Sequence, residues 1–156
     1  MTTYFVLKWL HIVASVLLVG TGFGSAFFLY FANRSGNLSA QAVVCRLVVR
    51  VDWWFVCPTA VIQPLSGIAM AMITGWSLTT PWLAASLALY ILAGICWLPA
   101  IWLQLQMAKM AIDAHHRGNA LPTQYWRYAW IWQRLGYPAF LAMLLVYYLM
   151  ISKPSF

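Results

Sequence analysis

Four stretches of nearly unbroken apolar residues, at about 4–32, 52–74, 81–107 and 125–151, alternate with short polar segments. Each reaches or exceeds the roughly 20 apolar residues that a helix needs to cross a hydrocarbon core. The pattern predicts an all-α fold, a four-helix transmembrane bundle that forms one domain over 1–156 with little mass outside the bilayer. Asn33 to Asn37 read as a polar turn. Ser39 to Arg50 read as a short amphipathic interfacial helix between the first and second spans, with continuity into the second span as the alternative. Pro58, Pro64 and Pro99 predict kinks, because proline removes a backbone donor and clashes with the preceding turn. Pro81 suits a first helical position, and Lys109 to Gln124 read as the largest polar loop. Lys8 and His11 interrupt the start of the first stretch, which predicts an uncleaved span rather than a signal peptide.

Composition agrees with that reading and narrows it. Hydrophobic residues make up 64% of the chain and charged residues 7%, with a mean hydropathy of +0.80; soluble domains carry about 25% charged residues. The formal charge of +7 does not imply nucleic acid, because the cations are scattered and form no basic run. Seven of the nine Lys and Arg residues (Arg34, Arg46, Arg50, Lys109, Arg117, Arg127 and Arg134) fall around the first and third loops. By the positive-inside rule both termini are then expected on the non-cytoplasmic side. Tryptophans near the span ends fit an interfacial belt. The chain has no glutamate, and its two aspartates, Asp52 and Asp113, read as lying near helix ends. A proton-coupled exporter, which needs a carboxylate at membrane depth, is therefore disfavoured. Cys45, Cys57 and Cys96 form no CxxC pair and read as small apolar fillers.

Against this apolar background a few side chains stand out. His11 is the one histidine within a span, and an intramembrane ionisable residue is a functional candidate by default. Neutral imidazole is a common axial ligand of haem iron, and Ser15 and Gly22 follow on the same face at helical spacing. Gly20-xxx-Gly24 and Thr21-xxx-Ser25, around the same position, also suit plain helix packing. Counting 1.5 Å per residue along antiparallel helices places His11 level with Gly67, Met70, Tyr90, Met143 and Tyr147. Met70 or Met143 could then supply a second axial ligand. Asp52 and Arg134 are expected to form a structural ion pair, and Gln63, near the midplane, to hydrogen-bond between helices. The Asp113, His115 and His116 group reads as a solvated loop rather than a metal site.

The stretches LKWLHIVASVLLVGTGFGSAFF, DWWFVCPTAVIQPLSGIAM, PWLAASLALYILAGICWLPAIWLQLQ and GYPAFLAMLLVYYLM resemble a bacterial inner-membrane family described only as predicted integral membrane proteins. More remotely, the LKxLH start before a Gly-rich helix is similar to the CopD and HemJ grouping. In HemJ-type proteins a first-helix histidine is implicated in haem binding, and that position maps onto His11. Their third-span lysine has no counterpart between Pro81 and Gln106. The resemblance implies haem b at His11, serving electron transfer or oxidation of a lipophilic substrate. Two other readings stand beside it. One is a non-enzymatic accessory or scaffold subunit that packs as a homo-oligomer or against a partner membrane protein. The other is a transporter of copper or a small solute.

Overall fold

The computed structural model describes residues 2–154. Five α-helices follow one another: α1 (Thr2–Arg34), α2 (Leu38–Val51), α3 (Cys57–Thr74), α4 (Pro81–Arg117) and α5 (Thr123–Ser152). A π-helical turn over Asp52–Val56 joins α2 to α3, so Leu38 to Thr74 forms one continuous rod. The bundle therefore has four membrane-competent helices. The short interfacial helix is not a separate element. Asn37 caps its start by accepting from the Ala40 amide at 3.1 Å, and nothing breaks the helix before the second span. This is the alternative of continuity, and it arises because Arg46 and Arg50 lie on an exposed face while Ala42, Cys45 and Val48 face inward.

The π turn has a local cause. Pro58 has no amide to donate to the carbonyl four residues back, and its ring would collide with that carbonyl. Widening the preceding turn relieves the collision, and the Cys57 amide reaches back to the Asp52 carbonyl instead. One extra residue in the turn shifts the helical phase by about 100°. α2 packs against both α1 and α4, whereas α3 packs on α1 and runs clear of α4 over most of its length. Pro64, further along, deprives the Ala60 carbonyl of its helical donor, and the Tyr90 hydroxyl of α4 fills the gap at 2.6 Å.

The rods overrun the bilayer. At 1.5 Å per residue, the 37 residues of Leu38–Thr74 and of α4 span about 55 Å, against about 30 Å of hydrocarbon. The more polar parts of both rods, 38–51 and 108–117, fall at the arginine-bearing end. That end holds the tightest core, where Leu29, Cys45, Val48, Leu103, Met107, Ala111 and Tyr125 interlock. Tyr125 is the largest fully buried side chain there. Its hydroxyl donates to Asn33 Oδ1 at 2.5 Å and lies 3.3 Å from Cys45 Sγ, tying α5 to α1 and α2. At the opposite end the α1–α3 and α4–α5 pairs are joined mainly by long side chains. Tyr90 is one of them, and Tyr147, donating to the Ser15 carbonyl at 3.0 Å, is another.

Candidate functional site

The loosely joined half contains a concentrated set of polar side chains. α1 carries His11, and α3 presents Gln63, Ser66 and Gly67 to it on one face, because residues three and four apart share a side of a helix. The imidazole is held on three sides. Ser66 Oγ lies 2.8 Å from His11 Nδ1, and Gln63 Nε2 lies 3.0 Å from His11 Nε2. A Cβ added to Gly67 would stand 3.1 Å from His11 Cε1, so only glycine lets the ring sit this close to α3.

Donor accounting assigns the tautomer. The Ser66 hydroxyl has one proton and directs it to the Ile62 carbonyl at 2.7 Å. In that arrangement it accepts from His11, which puts the ring proton on Nδ1, an assignment made from the hydrogen-bond network. The Nε2 lone pair accepts from the Gln63 amide N–H. Gln63 Oε1 is buried and has no partner within the trio or beyond it among the described residues. Gln63 itself is 8% exposed. An unpaired buried acceptor costs on the order of 1–3 kcal/mol, so a donor brought to Oε1 would gain a bond that the protein itself does not supply.

The arrangement does not fit an axial haem ligand. Iron requires an imidazole lone pair, and the one available, on Nε2, is filled by Gln63, while α3 seals the ring's flank at Gly67. The other residues expected at a haem site disperse. Met143 packs in an apolar cluster with Ala93 and Ala142. Met70 lies one turn beyond Gly67 and only partly buried. Gly22 is 11 residues from His11, about 16 Å along α1, and no atom lies within 4 Å of where its Cβ would be. Among the described residues no three His, Cys, Asp or Glu side chains converge on a common point, so a copper site gains nothing from them.

The expected ion pair is also absent. Arg134 is exposed, with its guanidinium 5.0 Å above the Trp130 ring, whereas Asp52 is 4% exposed and turned inward. The two side chains point in different directions. Asp52 is also not at a helix end: it lies between α2 and α3 in the middle of the second rod. Gln63 does bond between helices, as its midplane position suggested. Ser66 drew no notice in the sequence, since a serine among apolar residues normally back-bonds its own helix. Only its spacing of three from Gln63 hinted that it shares that face.

A family model described as "Predicted integral membrane protein (DUF2269)" matches residues 5–154. No curated protein and no solved structure matches the chain.

Proposed function

The chain belongs to this family of predicted integral membrane proteins, and from that premise we propose that it binds a lipophilic molecule bearing a hydroxyl donor, such as a quinol, within the bilayer. One observation carries the reading: the partnerless Gln63 Oε1 beside His11. A hydroxyl supplied by the ligand would satisfy it, and the apolar surroundings suit a hydrocarbon body. Entry from lipid asks side chains rather than helices to move, because Tyr90 and Tyr147 bridge the helix pairs in this half. We place the protein in the bacterial inner membrane with both termini non-cytoplasmic. The support is the gathering of seven of nine cations at the other end.

The test is calorimetric titration of the detergent-purified protein with a short-chain quinol and with its dimethyl ether, which has no hydroxyl. The quinol should bind about tenfold more tightly, the worth of one hydrogen bond to a buried acceptor. Gln63→Leu should erase the difference. Equal affinity for the two compounds would sink the proposal. So would a Soret band that sharpens on reduction in the same wild-type preparation, since that would return His11 to haem b.

A second reading, a scaffold that packs against a partner membrane protein or another copy of itself, draws on a different face. No atom lies within 4 Å of the positions that Cβ atoms would take on Gly20, Gly22 and Gly24, which leaves α1 open to a close helix–helix approach.

A further inference from the structure

Ser66 is 3% exposed, so it has almost no surface to offer a ligand. Its hydroxyl nevertheless governs how the rest of the trio is wired. Oγ lies 2.7 Å from the Ile62 carbonyl, 3.1 Å from the Gln63 carbonyl and 2.8 Å from His11 Nδ1. Its single proton goes either to the helix carbonyls or to the ring. With the proton on a carbonyl, Oγ accepts from Nδ1–H, and the Gln63 amide N–H fills the lone pair of Nε2. That wiring makes three hydrogen bonds and leaves Gln63 Oε1 free. With the proton on Nδ1, the ring carries its own proton on Nε2, and the Gln63 amide has to turn its oxygen to meet it. Two bonds remain, and the free end of the amide is its N–H. The first wiring wins by one bond, and it agrees with the tendency of a helical serine to bond the carbonyl four residues back.

The two wirings favour different ligands. A free Oε1 bonds a hydroxyl and repels the bare oxygen of a carbonyl. A free amide N–H donates to either. On the reading of this site as one for a lipophilic hydroxyl donor, we propose that Ser66 is the positioning residue that sets which redox form is held, quinol over quinone. It acts two links away, through His11 and then Gln63, and never touches the ligand. Ser66→Ala leaves one hydrogen bond in either wiring, so the preference for one ring proton, and with it the preference for quinol, is lost.

Nitrogen-15 spectra of the full chain, labelled at the histidine rings, read the tautomer without any ligand. The His11 signals are those that vanish in His11→Gln. Wild type should show a protonated Nδ1 and a bare Nε2, Ser66→Ala a mixture of both tautomers, and Ser66→Thr, which keeps the hydroxyl, the wild-type pattern. Calorimetric titration of the same preparations with a short-chain quinol and the matching quinone should give about a tenfold preference for the quinol in wild type and Ser66→Thr, the worth of one hydrogen bond. In Ser66→Ala the preference should fall below about threefold. A protonated Nε2 in wild type would overturn the proposal, even if Ser66→Ala does not accumulate. So would an unchanged tautomer, or an unchanged quinol preference, in Ser66→Ala. If neither compound binds to wild type, the ligand reading fails and takes the redox preference with it, whereas the spectra still decide whether Ser66 fixes the ring proton.

Discussion

Replacing Tyr125 by alanine is expected to destabilise the bundle by about 4 kcal/mol, in line with other deletions of fully buried aromatic side chains. Tyr125 has no exposed surface, and its ring fills the core between α2, α4 and α5. Its hydroxyl also satisfies Asn33. Tyr125→Phe keeps the ring and should lose only about 1 kcal/mol, the usual net worth of a hydrogen bond. Reversible unfolding in mixed detergent micelles would measure both. The pair separates packing from hydrogen bonding: similar losses for Ala and Phe would mean that the polar link, not the ring, anchors this end. A loss below about 1 kcal/mol for Ala would show that the arginine-bearing end is not the anchor at all.

The second large effect is expected from Gly67→Val. The first added carbon already meets His11 Cε1 at 3.1 Å, and two further methyl groups must displace the imidazole or push α1 away. Overpacking of this kind costs about 1–3 kcal/mol, and the lost contacts to Ser66 and Gln63 bring the expectation to about 3 kcal/mol. A double-mutant cycle isolates the cause. In a His11→Ala background the valine has room, so Gly67→Val should there cost less than about 1 kcal/mol. An equal cost in both backgrounds would mean that Gly67 matters for some reason other than the histidine. The same variant should also lower quinol affinity, because it moves the trio that holds Gln63 in place.

The four rods were legible because the apolar runs exceed what lipid requires, a signal that owes little to tertiary context. Their ends were less so. α4 was expected to stop near residue 107 but continues to Arg117, where Gly118, with φ of 64°, ends it. Lys109, Asp113 and His115 resemble loop residues, yet an exposed helix face accommodates them equally well. Depth proved readable within the site. Counting residues set Gly67 level with His11, and the two do touch. Direction around each helix did not follow from that count. It depends on phase, and the extra residue of the π turn alters the phase between Asp52 and everything beyond it. For that reason Gln63 was recognisable as a bonding group while its partner was not. The same gap let Asp52 and Arg134 be paired on depth alone, although one faces the interior and the other the surroundings.

The widened turn at Asp52–Val56 has a bearing on how the chain can vary in length. In an uninterrupted helix, losing one residue swings everything beyond it by about 100°. Here the turn already holds one residue more than a regular helix needs. Dropping a single residue from it, with Pro58 replaced so that the regular spiral can close, takes up that surplus and leaves Gln63 and Ser66 still turned towards His11. The same loss between Cys57 and Ile62 has no surplus to draw on and would carry both side chains round towards lipid. The π turn is thus a slack link, the point along the second rod where the loss of a residue can be absorbed without changing which residues meet α1.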